Sequence, residues 1–380
     1  MRQRQWVSAL AIPLVLAFTA ASCGSDDSSS DETTASEGSE STTDDTTGDE
    51  QSEATTPVTD DTVETTDAAE TDTAVYGGTL TMGLEAEANG FRPWEDGCAE
   101  PCVNMARTFF DVLVQQNVDG VYEGYLAESI EPNEDFTVWT LTLRPGVTFH
   151  NDVPLTAQTI VDMFAIQQTG AISSGQVATN QLLSVEAVDD LTVTYTLGSP
   201  NSAFPASLSL VSLGYVFEPG EALANPDGFS SSPVGTGPFV IDKRDFDNET
   251  IVVRNDNYWR TADNGDQLPY LDSVVFRPIP DEGTRIDALV SGTVNLMETR
   301  RQGTIRDARD ESGISLYEFQ GNNTGGGMFN TAVPPFDDVR VRLGLNHLND
   351  QETVIAALGG EGISLPNTQW FSADSPFWTQ

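Results

Sequence analysis

The chain is expected to fold as an α/β protein, mixed α+β in the order of its elements, and three observations predict that class. Apolar residues alternate with small or polar ones at Leu80, Met82 and Leu84, at Trp139, Leu141 and Leu143, and at Val193, Tyr195 and Leu197, the period of half-buried strands. Other stretches carry apolar residues three and four apart, the period of a helix with one buried face. The two patterns mingle without strict alternation and without an internal repeat, so mixed sheets fit better than a barrel or a doubly wound parallel sheet.

The elements follow in order. A first strand runs through Leu80, Met82 and Leu84, and a second through Trp139, Leu141 and Leu143, set between threonines. Thr156 is placed to cap a helix whose Ile160 and Phe164 share one face, widened by Val161 and Met163, with Gly170 as its stop. The third strand passes through Val193, Tyr195 and Leu197. A helix is predicted from about Glu282, with Ile286, Leu289 and Val290 facing the core and Gly292 just past its end. Two more are predicted, from about Asp338 through Leu345 and from about Gln351 to Leu358, the latter stopped by Gly359-Gly360.

The N-terminus predicts location. Arg2 and Arg4 precede an apolar run from Trp6 to Ala21 that ends in Ala20-Ala21-Ser22-Cys23, the order of a secretory signal with a small-residue cleavage site. The cysteine makes it a lipoprotein signal over residues 1–22. Cys23 would be acylated and moor the chain outside the cytoplasm on the cell membrane, at the cell surface or in a periplasm. A membrane-spanning anchor fits less well, since the run falls short of ~20 residues and Pro13 interrupts it. Residues 23–75 are almost wholly small, polar or acidic, with neither aromatic residues nor Lys or Arg. Such a segment cannot bury enough apolar surface to offset its ordering entropy and is expected to be a disordered tether.

Charge bounds the partners. The net charge is -42, and about 17 of the 59 acidic residues lie in the tether, so the remainder is itself strongly acidic. Nucleic acid is excluded as an expected partner, because phosphate contacts need Lys and Arg, and Lys243 is the single lysine. Apart from Cys23, only Cys98 and Cys102 remain, spaced C-x3-C. In an oxidising compartment such a pair reads as a disulfide. Zinc would need further ligands, and His150 and His347 are too far away in sequence. No metal and no cofactor are expected.

Several motifs then appear in a telling order: Leu126-Ala127-Glu128-Ser129, Leu143-Arg144-Pro145-Gly146-Val147-Thr148-Phe149-His150-Asn151, Pro154-Leu155-Thr156-Ala157 and Gly235-Thr236-Gly237-Pro238-Phe239. Asn255-Asp256-Asn257-Tyr258-Trp259-Arg260, Leu268-Pro269-Tyr270-Leu271-Asp272, Ile279-Pro280-Asp281-Glu282 and Pro334-Pro335-Phe336-Asp337-Asp338-Val339-Arg340 follow. Together they resemble the peptide/nickel class of extracytoplasmic solute-binding proteins that serve ABC importers, over essentially all of Tyr76 to Pro366. Each motif also has a purely structural account. Arg144-Pro145-Gly146 reads as a turn, Gly235 to Pro238 as a tight turn entering a strand, and Tyr258 and Trp259 as core anchors. His150 reads as a ring hydrogen-bonded at the end of a strand.

The resemblance implies a periplasmic-binding-protein-like fold of two lobes joined by a hinge, which close on a solute for delivery to an ABC importer permease. Lobe I would take residues 76–310, with an inserted subdomain at about 120–230, and lobe II would begin at 311. Members of that class continue well past the point reached by Gln380, so the second lobe is expected to be incomplete, as in a fragment or a truncated product. Oligopeptide leads as solute; a nickel chelate or an oligosaccharide is the alternative, and a monomer is expected. The loop after the first strand, Glu85 to Cys102, would face the cleft. Glu85 and Glu87 would meet a cationic group there, with Phe91 and Trp94 as apolar walls, or else with both rings packed beneath the loop. The Cys98–Cys102 bridge would stiffen it. Asn322 and Asn323, with Thr324, are weaker candidates from the second lobe or simply turn residues.

An enzyme is the rival class. The sequence has no G-x-S-x-G elbow, P-loop, H-E-x-x-H or Rossmann fingerprint, and two histidines make a thin supply of general bases. Acidic residues are so abundant that a secreted hydrolase working with a carboxylate pair stays open as an alternative. Residues Asp245 to Glu249 lack the central glycine of an EF-hand loop.

Overall fold

The computed structural model describes residues 74–318 and 328–367, all within one compact unit, Glu70–Gln380. The signal segment, Cys23, the tether, Asn322, Asn323 and Thr324 lie outside the described residues. The chain opens with β1 (Thr79–Leu84) and α1 (Glu100–Phe109), then β2 (Val114–Gln116), β3 (Tyr122–Gly124), β4 (Ala127–Pro132) and β5 (Val138–Leu143). Next come α2 (Ala157–Gln167), α3 (Ser173–Thr179), β6 (Leu182–Ala187) and β7 (Thr192–Leu197). Four short helices follow: α4 (Phe204–Ser207), α5 (Val211–Gly214), α6 (Pro219–Ala224) and α7 (Pro226–Ser231). The chain then forms β8 (Phe239–Asp245), β9 (Glu249–Arg254), β10 (Ser273–Pro278), α8 (Glu282–Val290) and β11 (Leu296–Met297). The last elements are α9 (Gln302–Arg309), α10 (Val339–Leu348) and α11 (Gln351–Ala357).

The strands form a five-stranded sheet in the order β11-β1-β10-β9-β8, a four-stranded sheet β4-β5-β7-β6 and the small β2-β3 ribbon. In the larger sheet β1 runs parallel to both β10 and β11, while β9 is antiparallel to its neighbours. The four-stranded sheet is wholly antiparallel. Its centre is set by the alternation read in the sequence. Trp139 faces Tyr195 and Leu141 faces Val193 across the β5-β7 ladder, and all four are buried. Full burial of an aliphatic side chain of this kind contributes about 1.5–3 kcal/mol, and a one-residue slip would turn every one of them to water.

α2 begins as expected. Thr156 accepts from the Thr159 backbone N–H while the Thr159 hydroxyl answers the Thr156 N–H, a reciprocal cap. Ile160, Met163 and Phe164 are buried, but the helix ends at Gln167, before Gly170. Gly170 serves a different purpose: a Cβ there would lie 2.3 Å from the Trp94 carbonyl oxygen, so the position is kept bare for a close backbone approach.

α8 corrects the sequence reading in detail. Its range and the positive φ of Gly292 match, but Val290 is 48% exposed, and Ile286 and Leu289 are only half-buried. The deep positions are Ala288 and Arg285. Arg285 crosses β1 where Gly83 leaves room, and its guanidinium donates to the Ile279 carbonyl at 2.6 Å and to Glu282 at 3.1 Å. The stripe misleads because an arginine with buried stem and paired head occupies the core-facing side. α10 and α11 start at the side-chain caps Asp338 and Asp350, and neither holds a buried residue.

Candidate functional site

Because β1, β10 and β11 are parallel, the chain leaves all three along one edge of the sheet, at Glu85, Ile279 and Glu298. Ligands of open α/β sheets gather at such C-terminal edges. A groove lies there, floored by Gly83 and Leu84, with Glu100 and Asn104 of α1 on one side and Glu298 and Arg300 on another. Its cavity is about 30 Å³, room for a water rather than the several hundred Å³ of a solute pocket. At this edge the described residues form the wall of the groove and enclose no solute-sized space.

The wall is charged and mostly paired. Arg300 lies 2.6 Å from Glu100 and 3.4 Å from Glu298, and the Asn104 amide donates to the other Glu298 oxygen at 2.9 Å. Glu85 borders the same groove, exposed, with no hydrogen-bond or ion-pair partner among the described residues. An exposed carboxylate in that position can meet a cationic group from solution.

The structure separates Glu87 from that role. Its carboxylate is buried, 3.3 Å from Arg244, and accepts from the Ala88 N–H at 2.9 Å. Arg244 also donates to the Ser230 and Ala88 carbonyls and lies over the Phe91 ring, 4.4 Å from its centroid. Glu87 is thus neutralised by a strap that ties the loop to β8.

Phe91 and Trp94, 3% and 8% exposed, pack beneath the loop and form no open apolar walls. Phe91 sets its edge against Phe109 with centroids 4.9 Å apart, and Trp94 sits 4.6 Å from Phe217 and 5.4 Å from Phe229. The loop folds back onto α1, and burying the rings gains more than leaving them wet. Cys98 and Cys102 are joined by a disulfide with Cα atoms 5.1 Å apart. Arg92 and Asp96 pair at 2.7 Å, and Asp96 also accepts from the Ser230 hydroxyl. Burial alone would raise the Asp96 carboxyl, but the Arg92 hydrogen bonds win and hold it below the usual range.

A second polar cluster was not read from the sequence. Asp111, 4% exposed, accepts from Thr236 at 3.0 Å, Tyr258 at 3.1 Å and Trp259 at 2.9 Å. Arg260 donates to the Tyr125 hydroxyl at 2.7 Å, and that hydroxyl lies 3.0 Å from Tyr258. Burial pushes the Asp111 carboxyl up to about 6, against the pull of its three donors. The only signal was an acid inside the apolar run Phe109-Phe110-Asp111-Val112-Leu113-Val114.

Thr236 belongs to the turn expected at Gly235 to Pro238, and the turn is clamped from its other side by His150. The ring Nδ1 accepts from the Gly235 N–H at 3.3 Å, and Nε2 lies 3.0 Å from the Gly237 carbonyl. That pairing assigns the proton to Nε2 and requires a neutral ring, and burial accordingly holds His150 below the ordinary imidazole range. Both glycines press on the end of α1: a Cβ on Gly235 would fall 2.0 Å from the Phe109 oxygen, and one on Gly237 would fall 2.5 Å from the Phe109 carbonyl carbon. These motif residues brace the scaffold, and the turn's hydroxyl that meets Asp111, that of Thr236, is 1% exposed. Among the described residues there is no group of three or more His, Cys, Asp or Glu that could hold a metal ion, and no helix long and apolar enough to cross a membrane.

Residues 121–380 match the family model for the middle part of bacterial extracellular solute-binding proteins, family 5. The heme-binding protein A of Haemophilus influenzae is 32% identical over 65% of this chain and 49% of its own length. The dipeptide-binding protein of Escherichia coli is 29% identical over 78% of this chain and 60% of its own. The periplasmic binding protein DppA of Helicobacter pylori, solved with the peptide STSA, superposes with a TM-score of 0.67 at 25% identity, over 80% of this chain and 62% of that one. The chain thus spans about half to three-fifths of the length of these relatives, and its mixed α/β fold is that of periplasmic binding proteins.

Proposed function

Because the chain belongs to the bacterial extracellular solute-binding proteins of family 5, we propose that it captures a solute outside the cytoplasm, foremost an oligopeptide, and presents it to the permease of an ABC importer. The observation that carries the choice of solute is Glu85, an exposed and unpartnered carboxylate at the C-terminal edge of the parallel strands. A peptide amino terminus or basic side chain is the natural partner for it. The likeness to proteins named for dipeptide binding and solved with a bound peptide supports the same solute.

In this reading the wall described here belongs to lobe I, residues 76–310, with an inserted subdomain at about 120–230, and lobe II begins at 311. Solute that touches both lobes favours the closed form by its extra contacts there, and no bond of the solute is broken. Cys23 carries the lipid, and the tether holds a monomeric binding unit away from the membrane surface.

A thermal-shift panel on the lipid-free chain tests this, with di- to pentapeptides, nickel chelates, heme and oligosaccharides. Bound ligand raises the midpoint according to RT ln(1 + [L]/Kd). A shift with peptides that Glu85→Gln diminishes is the expected outcome. A shift with nickel chelate or sugar alone would move the solute class, and turnover of any compound would favour a secreted hydrolase instead.

A further inference from the structure

We propose that Glu100 and Asn104 are positioning residues of this wall, set by the Cys98–Cys102 bridge, and that they latch the segment leaving β11 across the groove. The proposal rests on reading the sheet edge as the solute-facing wall, because the latch decides how wide that edge stands.

Four consecutive residues of the exit segment are held in alternation. Glu298 and Arg300 go to α1, through Asn104 at 2.9 Å and Glu100 at 2.6 Å. Thr299 and Arg301 go to Glu282 at the start of α8, through the threonine hydroxyl and through the guanidinium Nε at 2.7 Å. Alternation of this kind is what an extended chain requires, since successive side chains leave on opposite sides. The segment is therefore strung between two helices, and Arg300 and Glu298 also bond each other at 3.4 Å.

The grip on the α1 side depends on where Glu100 is held. Glu100 lies inside the ring closed by the disulfide, whose ends are four residues apart, and it precedes Pro101, whose own φ is fixed. Asn104 follows one helical turn later, on the same face. An isolated exposed ion pair such as Arg300 with Glu100 would contribute little, Arg300 being 64% exposed. Here the pair is one link in a chain of four side chains, Glu100, Arg300, Glu298 and Asn104, whose two ends both stand on α1, and the Glu100 end is covalently braced.

Hydrogen exchange read by mass spectrometry on the peptide covering residues 296–304 of the full chain tests the latch without any solute. Glu100→Gln, Arg300→Gln and the double variant Cys98→Ala/Cys102→Ala should each speed exchange there by about fivefold, the scale of a surface charge network. Combining Glu100→Gln with the cysteine variant should add nothing further, while peptides from β5 and β7 stay unchanged. Should the cysteine variant fold poorly, Arg300→Gln and Glu100→Gln test the latch with the bridge intact, and an unchanged 296–304 peptide in both would overturn the proposal. An unchanged 296–304 peptide in the cysteine variant, or additive effects of the two changes, would overturn the proposal. A panel without any solute shift would count against the functional reading and leave this result standing.

Discussion

Asp111 and His150 hold one turn from opposite sides, and their linkages to pH have opposite signs. Asp111 titrates near 6 in the fold against an ordinary 3.8, so between those values the folded state binds the extra proton and acidification through that window favours folding. The difference corresponds to about 3 kcal/mol for a group this buried. His150 is lowered by burial, so its contribution is complete above the ordinary imidazole value and is lost as pH falls through the folded one. In the native protein the two partly cancel. Asp111→Asn removes one of them, and its melting temperature should therefore fall more steeply than that of the native chain between pH 7 and pH 5. Parallel profiles would show that Asp111 does not titrate in this window. Gly237→Ala offers a simpler check, because its Cβ would meet the Phe109 backbone, and a loss of at least about 2 kcal/mol in chemical denaturation is expected from overpacking. At this scale the sequence was legible where a residue type has one dominant habit, as for Tyr258, Trp259 and the glycines of the turn. It was not legible where partners come from afar: those of Asp111 are 125 to 148 residues away, and the partners that bury Trp94 lie at Phe217 and Phe229.

Elements were legible in proportion to how sharply one face separates from the other. β5 and β7 alternate strictly between buried and half-exposed positions, and their sequences announce it. β10 carries the same alternation at Val274 and Phe276, but a run of Val274-Val275-Phe276 blurs it, and β11 is two residues long, too short for any period. The starts of α2, α8, α10 and α11 were clear because each carries a side-chain cap, whereas α1 and α9, which begin without one, were not read. Thr156→Ala removes the acceptor for the Thr159 N–H and the partner of its hydroxyl, with an expected cost of about 1 kcal/mol in equilibrium unfolding. A serine at the same position should restore most of it, which distinguishes a lost cap from lost packing. Helix ends were less clear, since Gly170 is demanded by Trp94 and not by α2.

At the scale of the whole molecule, packing among the described residues is concentrated before α10. The buried apolar residues among them lie between Met82 and Ala308, whereas α10 and α11 bury none, and Leu343, Leu348 and Leu358 stand largely in water. The order of motifs made the family legible, but solute identity was not, because none of those motif residues lines the groove at the sheet edge. Uneven packing predicts uneven opening, as local stability follows buried contacts. Trypsin should therefore cut first after Arg340 and Arg342 of α10, which holds no buried residue, before any cut after Arg254 at the end of β9 or after the buried Arg285 of α8. The tether contains no Lys or Arg, so the surviving fragment should keep it and remain identifiable by mass. A solute that touches residues on both sides of 311 should slow the cuts in α10 in proportion to its occupancy. Protection by peptides that leaves the Arg254 and Arg285 cuts unchanged would place solute contacts in this segment, whereas cleavage of α10 at an unaltered rate under saturating peptide would confine binding to the wall around Glu85.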